Sequence, residues 1–435
     1  MKKILNFSSK NFSKILNSYI LNNRNTNLDL SEKVKKIVNS IIDEGDKALS
    51  DLTFKYDNYN IEKEGISVDE KDINNAYKEC NKELVIALEK AAQRISDFHE
   101  KQIPNNISYT DDNNVELASR WTPLDSVGLY VPGGKASYPS SVIMTAIPAK
   151  IAKVPEVSMC VPSPKGYLNP SILVAAKICG VDNIYKIGGA QAVAAMAYGT
   201  NTIKRVNKIF GPGNAWVAEA KRQLFGKVGI DMVAGPSEIL VISDDKSNPN
   251  WIATDLLSQA EHDTESQSIL ITDNIEFAIK VESAVDSLIE SLDRKDIAKA
   301  SWSKNGIIIV LESLEHSIEI VNKIAPEHLE ISTDNPELIA EKINNAGSIF
   351  LGRFVPEAIG DYIAGPNHVL PTARTARFSS GISTLDYMRR TSLIKCDLKA
   401  LNGLAPSAIK IAESEGLEAH ALSMKIRMSD FKDEK

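Results

Sequence analysis

Two successive series of short β-rich runs constrain the fold more than any other feature of this chain. The first series is VGLYV, VSMCV, NIYKI and NKIF, and the second is EILVIS, SILIT, GIIIVL, HLEIS and SIFLG. Helical segments separate these runs, and Gly or Pro marks most junctions. Because strands that alternate with helices form parallel sheets, the pattern predicts an α/β fold. The similar rhythm of the two series predicts two incomplete Rossmann-like domains from a duplicated unit.

Length and local pattern divide the chain into units. A chain of 435 residues is too long for one compact core. Residues 30–100 carry apolar positions at three- and four-residue spacing, which predicts helices, and the tail after Asp386 has a helical, charged pattern. We therefore predict an N-terminal helical arm (1–28), a first α/β domain (29–129 and 240–382), a second α/β domain (130–239) and a C-terminal helical unit (383–435).

Charge and hydropathy argue against two classes of partner. The net charge of −7 is spread along the chain, without the basic face of a nucleic-acid-binding protein. No apolar stretch approaches the roughly eighteen residues that span a bilayer. The apolar residues of the N-terminus are interrupted every few positions, so we expect no signal peptide. We expect there an amphipathic helix that docks on the protein itself, with a membrane-surface anchor as the less favoured alternative.

The cysteines carry little information about chemistry. Cys80, Cys160, Cys179 and Cys396 are widely spaced and form no CxxC pair, which argues against a cysteine zinc site and a disulfide scaffold. Cys160 and Cys179 lie in apolar runs, which favours packed thiols. We therefore expect a protein of the reducing cytoplasm.

Three glycine-containing loops follow predicted strands of the first series. They are VPGGK (131–135), IGGAQA (187–192) and FGPGN (210–214). In a parallel sheet they gather at the carboxyl ends of the strands, where helix N-termini attract pyrophosphate. The alternative, that the glycines only form tight turns, stays open. A kinase loop is weakly supported, since Leu129 and Ala136 replace its required Gly and Ser or Thr.

The six histidines separate into two groups. His99 and His316 lie in charged helical stretches, where we expect solvent-exposed side chains, and the others lie in dense polar contexts. A zinc-like ion needs nitrogen or oxygen ligands from about four positions. A set of this kind is Gln259 and His262 on one helix face, Asp361 of GDYIAGPNH (which ends at His368), and His420 near Glu415. The alternative is that each histidine is a hydrogen-bonded structural residue.

Glu327 and His328 form a natural acid–base pair at the entrance to a predicted strand. Imidazole titrates near neutrality, and a carboxylate can activate water. A strand-edge pair without a catalytic role is the alternative. The chain has no HExxH helix and no GxSxG elbow, so metalloprotease and serine-esterase functions lose their main support.

Several segments together resemble the histidinol dehydrogenase family. The matching stretches, in order, are VGLYVPGGKASYPSSVIM, KIGGAQAVAAMAYGT, KIFGPGNAWVAEAK, DMVAGPSEILVI, DLLSQAEHD, APEHLEI, GDYIAGPNHVLPTARTARFSSGIS and EGLEAHALSMKIR. The resemblance implies NAD-dependent oxidation of L-histidinol to L-histidine in two steps through a bound aldehyde, at the end of histidine biosynthesis. It places NAD on the 130–239 domain, and metal and substrate on the other domain.

The resemblance also implies roles for individual residues. One zinc ion per subunit would be held by Gln259, His262, Asp361 and His420, and Glu327 and His328 would be catalytic. The resemblance also implies contacts with NAD and with histidinol. Those with NAD are Tyr130, Gln191 and Asn214, and those with histidinol are Ser237, Gln259, His262, His328, Asp361, Glu415 and His420. The family is homodimeric, and its C-terminal unit reaches the partner subunit.

Two other functions remain open from the residues alone. A metal-dependent hydrolase would use Glu327 to activate a metal-bound water, and its glycine loops would be structural. A non-catalytic protein would bind metal or nucleotide without turnover. Formation of NADH separates the dehydrogenase from both.

Overall fold

The computed structural model describes residues 4–8, 11–21, 28–133 and 137–429. The N-terminal part is mainly helical, which confirms the helices predicted for residues 30–100. Its elements are β1 (Ile4–Asn6), α1 (Phe12–Leu21), α2 (Leu28–Glu44), α3 (Asp46–Asp57), α4 (Ile61–Glu64), α5 (Glu70–Glu79), α6 (Lys82–Glu100), β2 (Ile107–Thr110) and β3 (Glu116–Pro123). The arm expected to be only helical begins with a strand, because Ile4–Asn6 pairs with a distant strand.

The first parallel sheet contains the first series of β-rich runs. Its elements are β4 (Ser126–Tyr130), α7 (Pro139–Ile151), β5 (Glu156–Cys160), α8 (Pro170–Cys179), β6 (Asn183–Tyr185), α9 (Gly189–Tyr198), β7 (Lys208–Phe210), α10 (Ala215–Leu224) and β8 (Gly229–Ile230). The strand order is β6-β5-β4-β7-β8, and all neighbours pair in parallel. This order, 3-2-1-4-5 from β4, is the Rossmann order without its last strand. The order reverses between β4 and β7, where ligands of such sheets bind.

The second parallel sheet repeats the same order. Its elements are β9 (Glu238–Ser243), α11 (Pro249–Ala260), β10 (Gln267–Thr272), α12 (Ile275–Leu288), α13 (Lys295–Asn305), β11 (Ile307–Val310), α14 (Ser317–Ile324), β12 (His328–Ser332), α15 (Pro336–Ala340), β13 (Ser348–Leu351) and α16 (Glu357–Tyr362). The sheet runs β1-β11-β10-β9-β12-β13, so it is again 3-2-1-4-5 from β9, with β1 added at its edge. The prediction of two incomplete Rossmann-like domains is confirmed.

The helices of residues 28–100 pack on the first sheet. Helix α2 contacts α9 and α10, α5 contacts α8, and α6 contacts α7. Buried Ile41 and Leu49 share a core with Met196, and Ile95 shares one with Val127. These contacts do not match the predicted grouping of residues 29–129 with 240–382. Periodicity shows which helix face is apolar but not which sheet covers it.

The C-terminal part begins with a strand, which the predicted helical unit (383–435) did not include. Its elements are β14 (Met388–Lys395), α17 (Leu398–Ser414) and α18 (Glu418–Ser429). Strand β14 pairs antiparallel with β3, and β3 pairs with β2. The partner of β14 lies far away in sequence, so local pattern could not reveal the pairing. In the described residues, no helix has the length and apolar character of a membrane span.

The connection between α16 and β14 returns the chain to the first domain. Asn367 Nδ2 donates to the Met144 carbonyl at 2.5 Å, and the Tyr387 hydroxyl donates to the Thr145 carbonyl at 2.7 Å. His99 takes part in this contact. The prediction of a solvent-exposed His99 is wrong, since it is fully buried, and its carbonyl accepts from Thr384 Oγ1 at 2.8 Å. His316 is exposed as predicted.

Candidate active site

His328 occupies the amino end of β12, between β9 and β13. Its side chain is buried, and Nδ1 donates a hydrogen bond to the Glu238 carbonyl at 3.0 Å. Nε2 lies 3.7 Å from Glu357 Oε1 and 3.7 Å from Asp361 Oδ1. A carbonyl can only accept, so this contact places a proton on Nδ1 and directs Nε2 at two carboxyl groups.

Glu327 precedes β12 and is buried beside the same imidazole. Its Oε2 accepts a hydrogen bond from the Glu238 N–H at 2.9 Å and lies 3.7 Å from His328 Nδ1. Burial raises the pKa of Glu327 to about 8, although His328 acts in the opposite direction. Burial lowers the pKa of His328, but Glu327, Asp361 and Glu357 outweigh it and raise the pKa to about 10. Each of the two groups therefore shifts the pKa of the other.

Glu357 and Asp361 lie four residues apart on α16, so they share one helix face. Burial and the Asp361 charge raise the pKa of Glu357 to about 8. Burial also opposes ionisation of Asp361, but His328 and His368 hold its pKa below the ordinary range. His368 Nδ1 donates to the Asp361 carbonyl at 2.8 Å. Helix α16 therefore contributes one firmly ionised carboxylate and one carboxyl whose ionisation is opposed, as that of Glu327 is.

Helix α11 brings the next predicted residues to this edge of the sheet. Gln259 lies in its last turn and is 1% exposed, and the N–H of His262 donates to the Gln259 carbonyl at 3.2 Å. Burial lowers the pKa of His262, and Asp361 opposes this effect. Since α11 returns the chain to the amino edge before β10 begins, Gln259 and His262 lie at the same edge as His328.

Unpartnered polar atoms show that this centre fits a cation. His328, Glu357 and Asp361 each offer a ligand atom within 4.8 Å of the others. Buried Gln259 Oε1, His328 Nε2 and Glu357 Oε1 have no hydrogen-bond partner among the described residues. Buried polar atoms are normally paired, so these three indicate a missing ligand or substrate. Glu357 was not predicted, although its four-residue spacing from Asp361 in EAIGD is a usable signal.

The structure does not bring all predicted substrate residues together. Ser237 is half-buried directly before β9, where its carbonyl accepts from the Gln267 N–H at 3.0 Å. Glu415, directly after α17, and His420, on α18, are both exposed. Within the described part of one chain, neither of these two has a recorded hydrogen bond or ion pair with the His328 centre.

The predicted cofactor residues lie at the carboxyl edge of the first sheet. Tyr130 ends β4, and its buried hydroxyl accepts from the Gly189 N–H at 3.1 Å. Gln191 lies in the first turn of α9 and is 3% exposed. Asn214 caps α10 by accepting from the N–H groups of Trp216 and Val217. Tyr130 and Asn214 thus flank the point where the strand order reverses. Residues 134–136 of the VPGGKA segment lie outside the described residues.

A dinucleotide-type strand order and a buried imidazole–carboxylate centre together define an α/β enzyme of the dehydrogenase type. A histidinol dehydrogenase family model matches residues 21–428. Histidinol dehydrogenase of Rhodospirillum rubrum is 52% identical over 426 residues, which cover 98% of each chain. Histidinol dehydrogenase 1 of Nostoc sp. is 50% identical over 430 residues, or 99% of each chain.

A solved structure agrees with these relatives. The crystal structure of histidinol dehydrogenase from Elizabethkingia anophelis superposes with a TM-score of 0.93 at 37% identity, over 99% of this chain and 98% of that one. The chain therefore belongs to the histidinol dehydrogenase family and is an oxidoreductase, as its motifs predicted.

Proposed function

We propose that this enzyme oxidises L-histidinol to L-histidine through L-histidinaldehyde, with NAD as oxidant and one zinc ion per subunit. These are the last steps of histidine biosynthesis. The observation that carries the proposal is the Glu327–His328 pair, whose imidazole Nε2 lies 3.7 Å from Asp361 Oδ1. These groups form a buried centre that contains polar atoms without a hydrogen-bond partner among the described residues. Both a proton acceptor and a water-activating carboxylate are available at one position.

The metal is held by Gln259, His262 and Asp361 of one chain and by His420 of the partner subunit. Gln259 fits this role because its buried Oε1 has no hydrogen-bond partner in the described residues. Asp361 fits because its carboxylate stays ionised despite burial. A bound divalent ion supplies the positive charge that orients the imidazole and amino nitrogens of histidinol.

The dinucleotide lies at the carboxyl edge of the first sheet, in contact with Tyr130, Gln191 and Asn214. The support is the reversal of strand order between β4 and β7, which these loops surround. Bound NAD supplies the hydride acceptor for both oxidations. The second sheet presents its opposite, amino edge to the reaction, where His328 begins β12.

His328 accepts the hydroxyl proton of histidinol in the first oxidation. Its Nδ1 is committed to the Glu238 carbonyl, so Nε2 is the atom that accepts the proton. Nε2 must be unprotonated for this step, and the positive charge of a divalent ion bound at Asp361 would favour that form over the protonated one that the surrounding carboxyl groups favour. Glu327 then takes a proton from the water that attacks the aldehyde carbon. The raised pKa makes the ionised form of Glu327 a stronger base than an ordinary carboxylate. Ser237, Glu415 and His420 complete the substrate contacts.

Glu415 and His420 belong to the site of the partner subunit, so the active enzyme is a homodimer. The support is their exposure, Glu415 directly after α17 and His420 on α18, without a hydrogen bond or ion pair to the His328 centre in the described part of their own chain. All four cysteines are free thiols, which fits the reducing cytoplasm.

The decisive experiment mixes purified protein with L-histidinol and excess NAD and follows NADH absorbance. We expect about two NADH per histidinol, because a four-electron oxidation needs two hydride acceptors. Chelation abolishes turnover, and zinc restores it. Turnover without NADH would contradict the proposal and favour the hydrolase, and binding of metal and NAD without any NADH would exclude histidinol as the substrate.

A further inference from the structure

A buried ion pair holds the loop that follows β7. Lys221 of α10 and Asp231, directly after β8, form an ion pair whose side chains are 2% and 1% exposed. Asp231 Oδ2 accepts from the Gly211 N–H at 2.7 Å, and Lys221 Nζ donates to the Gly211 carbonyl at 3.0 Å. Asp231 Oδ1 also accepts from the Met232 N–H at 2.6 Å. Both main-chain polar groups of Gly211 are therefore bound by one ion pair.

Gly211 lies directly against the last residue of β4. Its φ of 107° lies in the region that favours glycine, and a Cβ there would lie 2.1 Å from the Tyr130 carbonyl oxygen. The loop runs from Gly211 to Asn214, the cap of α10. Any displacement of Gly211 therefore moves this loop relative to Tyr130, across the reversal of strand order.

A contribution to the stability of the fold does not by itself explain why Lys221 and Asp231 are charged. A buried ion pair contributes little compared with well-packed apolar residues, since desolvation offsets most of the attraction. Two apolar residues would fill the same volume but could not bind the N–H and carbonyl of Gly211. The polar groups are therefore suited to fixing the loop.

We propose that Lys221 and Asp231 are positioning residues for the dinucleotide. They hold residues 211–214 in the conformation that receives NAD and do not touch it themselves. The inference rests on the proposed function, because it assigns NAD to this loop.

The test compares Lys221→Met with Arg222→Met, its neighbour on α10. In Lys221→Met, Asp231 keeps two N–H donors, but the Gly211 carbonyl loses its partner. We expect the KM for NAD to rise about tenfold, with the KM for histidinol and kcat changed less than about twofold. Arg222 pairs with Glu219 and, among the described residues, has no hydrogen bond or ion pair with residues 211–214, so Arg222→Met should leave the KM for NAD unchanged.

Lys221→Met and Asp231→Asn each leave one buried charge of the ion pair without its partner, so either single variant can fail to fold. The double variant Lys221→Met/Asp231→Asn removes both charges and keeps the side-chain shapes. It should fold and again show a raised KM for NAD alone. Thermal unfolding of each variant shows whether stability and KM change independently.

Two results would overturn the inference. One is an unchanged KM for NAD in Lys221→Met, and the other is an equal rise in the KM for NAD and for histidinol. A failure of the proposed function is distinct, since the unsubstituted enzyme would then form no NADH from histidinol.

Discussion

Glu327 and His328 are consecutive in the chain, and their side chains bind the N–H and the carbonyl of one residue, Glu238, on the neighbouring strand. The carboxylate of Glu327 accepts from the Glu238 N–H, and His328 Nδ1 donates to the Glu238 carbonyl. Strand β9 thereby orients both members of the acid–base pair. The pair is fixed before substrate arrives, which avoids reorganisation during the reaction.

Glu327→Gln should impair the second oxidation more than the first, because only the aldehyde step needs activated water. We expect overall turnover to fall by about 10²–10⁴-fold. The measurement is NADH per histidinol in a single turnover, which should approach one instead of two. Exposed Glu337→Gln on α15 is the matched control and should keep the full yield. An unchanged yield in Glu327→Gln would exclude this role.

Glu357→Gln should change the pH dependence of the reaction. The Glu357 carboxyl lies 3.7 Å from His328 Nε2 and contributes to the raised pKa of the imidazole. The amide cannot ionise, so the negative charge that Glu357 gains when it loses its proton is absent in the variant. The pKa of His328 therefore falls, and the unprotonated base persists to lower pH. The acidic limb of the kcat–pH profile should therefore move to lower pH, where the variant keeps a larger fraction of its plateau rate than the unsubstituted enzyme. A profile that keeps its position would show that Glu357 does not act on His328.

Gln259→Ala should weaken zinc binding by at least about tenfold, because a buried ligand atom is lost. The measurement is the zinc that each protein retains after dialysis against a graded series of chelator concentrations. Gln93→Ala, at an exposed position of α6, is the control. Equal zinc retention in both variants would remove Gln259 from the ligand set.

Mixing two inactive variants tests whether the site spans two subunits. His328→Asn and His420→Asn each inactivate their own homodimer, but a heterodimer retains one intact site if His420 acts on the partner. Random exchange should restore about a quarter of the original activity. His328→Asn mixed with Glu327→Gln should restore none, since both defects lie on the same side. If heterodimers of His328→Asn and His420→Asn have no activity, His420 acts in the site of its own subunit.

Asp255→Asn should stabilise the protein at neutral pH. Burial raises the pKa of Asp255 to about 6, and burial with the Asp255 charge raises that of Glu330 well above its usual range. The folded state therefore binds protons more strongly than the unfolded state, and stability falls as pH rises from about 4 through about 6. The variant removes one titrating group and should gain about 1–2 kcal/mol at pH 7.5 but little at pH 4.5. Thermal unfolding at both pH values measures this, and an equal gain at both would contradict the mechanism.

Local pattern determined the main elements of the fold. The alternation of β-rich runs with helical segments predicted every strand of the two parallel sheets from β4 to β13 except the two-residue β8. Such runs are encoded locally, because most of these strands are buried on both faces and their apolar residues are adjacent in sequence. The acid–base pair was also visible, since Glu327 and His328 are neighbours in the chain.

Contacts between distant residues were decided only by the tertiary structure. The burial of His99 depends on residues 367 and 384, and the pairing of β14 depends on residues 116–123. Glu357 becomes part of the candidate site only because α16 places its carboxyl beside His328 of β12. The charged sequence around His99 does not indicate that distant residues bury it, and the sequence of β14 does not indicate which strand pairs with it. The sequence motifs thus predicted the type of reaction, because their residues are adjacent in the chain. Tertiary packing decided which distant side chains lie together in one site, because those contacts join separate elements.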